Sequence, residues 1–182
     1  MDPARPQGTS IRLGALDLPS GFDHERFEIR SALGRGTSST VYRTFDRQRG
    51  AEVALKVLKP DLLRDDDAVS TFVDEARITK VKGDIQMLET ALSMYRLDTA
   101  RFPTTDQGLV ALVKKPDDPS VRNWKSGGYL SRVSKDPWGN DYRYAYPGQR
   151  GREYDLYSVG PDGQEGTEDT DKDNVGNWNL DE

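Results

Sequence analysis

The sequence predicts an α+β chain: a small antiparallel sheet, then a long helix, then a short antiparallel sheet. Three observations predict this order. β-Branched and aromatic residues are concentrated in segments 27–34, 39–45 and 53–58, as is typical of strands. Apolar residues then recur at spacings of four and three over residues 81–95, which is the period of an α-helix. Short strand-like segments separated by turn residues occupy residues 142–159.

The first three segments predict one sheet that follows a leader. Gly34 and Gly36 lie between the first two segments, so a hairpin is expected there. Pro60 ends the third strand, because proline has no backbone N–H to donate. Residues 1–24 contain many prolines and glycines, and we expect them to form a disordered leader.

The long helix is predicted within residues 65–97, a stretch without proline. Gly83 followed by Asp84 is the one point where it could break, because glycine can end a helix and aspartate can cap the next. A single glycine costs only about 1 kcal/mol relative to alanine, so we expect the helix to continue through it. The predicted apolar face comprises Val81, Ile85, Leu88, Leu92 and Tyr95.

The region after the helix predicts a short helix and two or three strands. Pro103 ends the long helix, and Thr104 or Thr105 can cap a short helix that runs to about Val113. Strands are predicted at 142–146 and 154–159, and a third at 129–133.

The composition excludes several kinds of site. The net charge of −5 argues against a nucleic-acid partner, since phosphate contacts need clustered Lys and Arg. The chain has no cysteine, which excludes disulfides and thiolate sites. The only histidine, His24, precedes the predicted folded segments. The longest apolar run, 109–113, is far shorter than the roughly 20 residues of a membrane span, and no signal peptide is visible. The sequence as written therefore predicts a cytoplasmic location.

Gly34, Gly36 and Val41 belong to a motif of the form G-x-G-x-x-S-x-V. Closely spaced glycines let backbone amides approach phosphates without interference from a Cβ atom. Lys56 follows on a predicted strand, and Glu75 on the predicted helix. These residues resemble the N-terminal lobe of bacterial serine/threonine protein kinases. The resemblance implies that Lys56 would hold the phosphates of ATP with Mg²⁺ and that Glu75 would orient Lys56.

This kinase-like domain, residues 25–74 with a match that extends to about residue 78, lacks the parts that perform kinase chemistry. No histidine follows His24 and no Asp-Phe-Gly occurs, so the catalytic base motif and the metal-binding motif of kinases are both missing. The sequence therefore predicts no enzyme activity. Nucleotide binding without turnover is one alternative. The other is that Lys56 and Glu75 form a surface ion pair worth about 0–1 kcal/mol.

Residues 75–182 carry a second and longer set of ordered motifs. They include Glu-Ala-Arg at 75–77, Asp-Pro-Trp-Gly-Asn at 136–140, Tyr-Asp-Leu-Tyr-Ser-Val-Gly-Pro-Asp-Gly at 154–163 and Gly-Asn-Trp at 176–178. This domain resembles the soluble part of the major pseudopilin of bacterial type II secretion systems, the G subunit. The resemblance implies a long helix packed on a small antiparallel sheet, and a calcium-binding loop near the C-terminus.

Acidic and amide side chains near the C-terminus are suited to that ion. Calcium takes six to eight oxygen ligands from carboxylates, amides and backbone carbonyls. The family pattern implies side-chain ligands at Asp162, Asp173 and Asn174, and backbone carbonyls from Val159 and Asp171. The alternative is a solvated acidic loop that binds no ion.

The pseudopilin resemblance implies a structural, calcium-binding subunit at the inner membrane and in the periplasm. Its partners would be other pseudopilin subunits and secretion-system components, with copies of the chain forming a homo-oligomer in a fibre. The alternative function is a nucleotide-binding kinase fragment with an incidental C-terminal extension. The junction near residues 74–80 indicates a gene fusion, for which natural recombination, engineering and an error in assembling the coding sequence are equally open.

Overall fold

The computed structural model describes residues 18–166 and 170–180, and the chain divides into two compact units, Met1–Asp74 and Glu75–Glu182. Each unit contains a three-stranded antiparallel sheet. Most of the leader predicted at 1–24 lies outside the described residues.

The sheet of the first unit consists of β1 (Phe27–Arg35), β2 (Ser39–Asp46) and β3 (Ala51–Leu58), in that order. The three predicted strands are thus confirmed. Because alternate residues of a strand face the same side, the central strand β2 buries every second side chain. These buried residues are Thr40, Tyr42, Thr44 and Asp46.

Asp46 is the last residue of β2 and forms an ion pair beside the sheet. Its carboxylate is almost fully buried and accepts two hydrogen bonds from the Arg26 guanidinium, at 3.2 and 2.9 Å. The Gln48 N–H donates a further bond of 2.9 Å. The Arg26 hydrogen bonds hold the pKa of Asp46 below its usual range. A buried aspartate is therefore tolerated here because it is paired and hydrogen-bonded.

The long helix α1 (Asp66–Thr99) is continuous through Gly83, as predicted from the sequence. All five residues of the predicted apolar face are buried, together with Ala91. In residues 18–166 and 170–180, neither α1 nor any other helix combines the length and hydropathy of a membrane span.

Replacing Gly83 by alanine should raise the free energy of unfolding by about 1 kcal/mol, because alanine loses less backbone entropy in a helix. Gly83 is exposed, and a Cβ built on it meets no atom within 4 Å. Urea unfolding followed by tryptophan fluorescence measures the change, since Trp124, Trp138 and Trp178 all lie in the second unit. A loss of stability would show that glycine is needed at this point of the helix.

The second unit packs α1 against the sheet β4 (Arg143–Ala145), β5 (Asp155–Ser158) and β6 (Val175–Gly176). β5 is central, and both neighbours pair with it antiparallel. The strands predicted at 142–146 and 154–159 correspond to β4 and β5. The core joins the helix, the sheet and the loop between them; its fully buried members include Ile85, Leu92, Leu112 and Leu156.

Two tyrosines from the sheet region reach polar groups on α1. The Tyr142 hydroxyl donates to Asp84 at 2.8 Å, and the Tyr154 hydroxyl donates to Glu89 at 3.5 Å. Burial raises the pKa of both phenols well above the usual range, so both remain protonated donors. These contacts fix the helix in register with the sheet.

The predictions for residues 104–133 were wrong in two details. The short helix expected up to Val113 is a 3-10 turn at Leu109–Leu112. The strand expected at 129–133 is absent from the described residues, because the N–H groups of Tyr129 and Leu130 both donate to the Leu112 carbonyl, at 2.8 and 3.2 Å. The third strand of this sheet is instead the two-residue β6.

Candidate metal-binding loop

The predicted calcium ligands lie in the segment that leaves β5 and returns as β6, which we call the C-terminal loop (residues 159–174). Antiparallel pairing of Tyr157 with Gly176 and of Ser158 with Val175 ties both ends of this loop to one sheet. The first and last residues of the loop are therefore held close together.

Direct contact joins the two ends of the loop. Val159 is fully buried, and Gly160 has a φ of +72°, a conformation that favours glycine. A Cβ atom on Gly160 would lie 2.5 Å from the carbonyl oxygen of Asp173, so only glycine fits. The backbone consequently places Val159 beside Asp173 and Asn174, three of the five predicted ligands.

Asp162 lies in the exposed turn that follows. Its Oδ1 accepts the Gln164 N–H at 2.9 Å, and the Asn140 amide donates to the Gly160 carbonyl at 3.0 Å. In the described part of the chain, no three His, Cys, Asp or Glu side chains are grouped as metal ligands. Calcium coordination here would therefore need amide and carbonyl oxygens in addition to the carboxylates of Asp162 and Asp173.

Asn174 is the most unusual polar residue of the loop, since it is only 2% exposed. Its Nδ2 donates to Asp171 Oδ1 at 3.1 Å, and its own carbonyl accepts the Asn179 amide at 3.1 Å. Its Oδ1 is buried and has no hydrogen-bond partner among the described residues. An unsatisfied buried oxygen costs about 1–3 kcal/mol, and an amide oxygen is a ligand that calcium accepts. Asn174, one of the five predicted ligands, therefore offers an oxygen atom that fits the ion.

The Asp171 carboxylate is already occupied by protein groups. Its Oδ1 accepts the Gly166 N–H at 3.1 Å and the Asn174 amide, and its Oδ2 accepts Arg150 Nη2 at 3.0 Å. The family pattern assigns only the backbone carbonyl of Asp171 as a ligand, and these side-chain bonds do not involve that atom. That carbonyl accepts the Asn174 N–H at 3.3 Å.

Arg150 is a functional candidate that the sequence reasoning missed. Its guanidinium carbon lies 4.4 Å from the ring centroid of Trp178 and 5.0 Å from that of Tyr157. The Tyr157 hydroxyl donates to Glu165 at 2.5 Å, and burial together with this carboxylate raises the pKa of Tyr157 to about 12. The two rings pack against each other, with centroids 5.3 Å apart, and the guanidinium contacts both, which holds it next to the C-terminal loop.

Asp136 is a second residue whose role the sequence reasoning missed, and it is linked by hydrogen bonds to the start of the C-terminal loop. It is 5% exposed, and its Oδ1 accepts the N–H groups of Trp138 and Asn140 at 3.0 and 2.8 Å. Its Oδ2 accepts the Ser158 hydroxyl at 2.5 Å. Asn140 in turn binds the Gly160 carbonyl. Asp136 thus links the turn before β4 to the start of the loop.

The predicted kinase-like residues belong to the first unit, except Glu75. In the first unit, Val41 pairs with Gly34 on β1 and with Lys56 on β3, and the Gly36 N–H donates to the Ser39 carbonyl at 2.8 Å. The ammonium of Lys56 lies 5.8 Å from the Phe72 ring centroid. Glu75 opens the second unit. Nucleotide binding by these residues stays an untested alternative to the expected silent motif.

Comparison with known proteins identifies the second unit. A family profile described as "Type II secretion system (T2SS), protein G" matches residues 68–178. The type II secretion system core protein G of Vibrio cholerae is 53% identical over 107 residues, which cover 59% of this chain and 72% of that protein. Its counterpart from Pseudomonas aeruginosa is 52% identical over 106 residues, with coverages of 58% and 73%.

The fold comparison agrees with the sequence comparison. The crystal structure of the major pseudopilin from the type 2 secretion system of enterohaemorrhagic Escherichia coli is 47% identical and superposes with a TM-score of 0.55. The match covers 60% of this chain and 89% of that one. The chain belongs to the type II secretion system protein G family. Its relatives are structural secretion proteins and not enzymes.

Proposed function

We propose that this member of the protein G family is a non-catalytic building block of a secretion pseudopilus, stabilised by calcium in its C-terminal loop. Its partners are other copies of the chain, other pseudopilin subunits and further secretion components. The family implies a place at the inner membrane and in the periplasm. The cytoplasmic location expected from the sequence as written has no support from the family.

The observation that carries the calcium proposal is the unpartnered Oδ1 of Asn174. It is buried beside Asp173, in a loop whose two ends are in contact through Gly160. Oxygen atoms of three chemical kinds are available there: carboxylates, a side-chain amide and backbone carbonyls. Calcium accepts such mixed sets in flexible geometry, whereas magnesium demands near-ideal octahedral coordination. This donor set therefore favours calcium over magnesium.

The proposed ligand set is Val159 and Asp171 through their carbonyls, and Asp162, Asp173 and Asn174 through their side chains. The two carboxylates supply charge, and Asn174 supplies a neutral oxygen that is already desolvated. Water would complete the coordination, since five protein oxygens fall short of the six to eight that calcium takes.

The first unit is proposed to be a kinase-like lobe without catalytic function. One observation favours ATP binding as a second candidate: Lys56 is the cross-strand partner of Val41, at the end of the glycine hairpin. A lobe of three strands supplies no second lobe to hold the metal or the catalytic base. We therefore rank nucleotide binding below calcium binding.

Thermal unfolding of the full chain tests both functions. Calcium at a hundredfold excess over its Kd should stabilise the second unit by about 2.7 kcal/mol relative to EDTA. Asp162→Ala and Asp173→Ala should each abolish this shift, because each removes a charged ligand. The exposed Asp106 provides the control: Asp106→Ala should retain the full shift.

ATP with Mg²⁺ should produce no shift in the same experiment. An ATP-dependent shift that disappears in Lys56→Ala would favour the kinase-like function. A wild-type chain that unfolds identically in calcium and in EDTA would contradict the calcium proposal.

A further inference from the structure

We propose that Arg150 is the positioning residue of the C-terminal loop: through the Asp171 carboxylate it orients the Asn174 amide so that Oδ1 is free for the ion. This inference rests on the proposed calcium function. Arg150 is not one of the proposed ligands, and it would act on Asn174 through its contact with Asp171.

The first step is the fixed position of Arg150. Its backbone N–H donates to the carboxylate of Asp155 at 3.2 Å, and Asp155 is only 3% exposed. Its guanidinium lies against the adjoining rings of Tyr157 and Trp178, where cation–π attraction adds to the packing. Both ends of the residue are therefore held by the sheet and by the segment after it.

The second step is the bond from Arg150 to Asp171. The two charged groups are 3.0 Å apart and about two-thirds buried. The other carboxylate oxygen of Asp171 accepts the N–H of Gly166, so one side chain joins Arg150 to both halves of the C-terminal loop. A charge-assisted hydrogen bond of this kind is stronger and more directional than a neutral one.

The third step is the orientation of Asn174. Its Nδ2 donates to Asp171, which leaves Oδ1, the other arm of the planar amide, buried and unpartnered among the described residues. An aspartate at this position could not donate to Asp171 and would place two carboxylates together. Asparagine therefore suits this chain, because position 171 carries a carboxylate that needs a donor.

The direction in which calcium affinity changes when Arg150 is removed distinguishes this proposal from a purely electrostatic effect. Arg150 is a positive charge near a calcium site, so by Coulomb repulsion alone its removal should tighten calcium binding. If Arg150 acts by positioning Asn174, its removal should weaken binding instead. Loss of an outer-shell partner typically weakens metal affinity by 10- to 100-fold.

The experiment is calcium titration calorimetry on the full chain and its variants. Arg150→Gln should weaken calcium binding by about tenfold. Arg143 is the matched control, because it is also a loop-facing arginine but pairs with Glu165 at 3.4 Å instead of Asp171. Arg143→Gln removes the same charge and should change the affinity by no more than about twofold, as expected for an exposed pair.

A double-mutant cycle tests whether Arg150 acts through the Asp171 carboxylate. Asp171→Ser keeps the backbone carbonyl and removes the carboxylate, so Arg150→Gln should have little further effect in that background. If Arg150→Gln fails to fold in EDTA, Arg150→Lys takes its place: it keeps the positive charge, so electrostatics alone predicts an unchanged affinity, whereas loss of the rigid guanidinium contact to Asp171 should weaken calcium binding.

Three outcomes would overturn the proposal. Calcium binding that is unchanged or tighter in Arg150→Gln, or full additivity of the two substitutions, removes the positioning role and leaves the calcium function intact. A wild-type chain that binds no calcium removes both.

Discussion

Replacing Asp136 by alanine should lower the free energy of unfolding of the second unit by about 3 kcal/mol. The carboxylate is 5% exposed and accepts hydrogen bonds from Trp138, Asn140 and Ser158. Its removal leaves several buried donors without an acceptor, and each such donor costs about 1–3 kcal/mol unless it can reach water. Urea unfolding followed by tryptophan fluorescence gives the change.

Asp141 provides the control for this experiment. Its side chain is 74% exposed and pairs with Lys135 at 3.0 Å, so Asp141→Ala should cost no more than about 1 kcal/mol. Equal losses in the two variants would mean that the buried network around Asp136 does not support the fold.

Replacing Leu92 by alanine should cost about 2–5 kcal/mol, the range for a buried leucine whose removal leaves a cavity. Leu92 is 0% exposed and belongs to the core that joins α1 to the sheet. Leu97 lies little more than one turn further along the same helix and is 83% exposed. Leu97→Ala should therefore stay within about 0.5 kcal/mol. A similar cost for both would show that α1 does not bury the face assigned to it.

The helix and most of the strands could be predicted from the sequence because their signals are local. The spacing of Val81, Ile85 and Leu88 sets the buried face directly, and Gly83 adds too small a cost to break it. The strands at 27–58 follow from β-branched residues and glycine turns. In both cases residues that are close together in the sequence determine the secondary structure.

The missed features depend on contacts between residues far apart in the chain. The two residues of β6 carry no strand signal and pair only because β5 offers a free edge. The segment at 129–133 has strand-like composition, yet its amides bind the Leu112 carbonyl. Tertiary context here overrides local preference.

The same distinction applies to the candidate site. The five proposed ligands followed from the resemblance to the secretion family, and the structure brings Val159, Asp173 and Asn174 close together. The Arg150–Asp171 bond spans 21 residues, and the bond from Ser158 to Asp136 spans 22. No periodicity or short motif encodes such pairs. The Asp-Pro-Trp-Gly-Asn sequence contains the proline and glycine typical of a turn, but it does not reveal that the aspartate is buried.

A calcium site that combines charged and neutral oxygens, as proposed here, would need few acidic residues. In the proposed site, Asp162 and Asp173 would provide the charge, and the desolvated amide of Asn174 would gain a partner on ion binding. Calcium binding would thereby relieve an unsatisfied buried group, which would couple the ion to the stability of the whole unit.

The central claim is tested most directly by a crystal structure of the full chain grown in millimolar calcium. We expect one ion with the Asn174 Oδ1 and the carboxylates of Asp162 and Asp173 at about 2.3–2.6 Å, and with Asp171 still bound to Arg150. A well-ordered C-terminal loop with no ion, in which Asn174 Oδ1 is bound to a protein group and the two carboxylates point into solvent, would contradict the account.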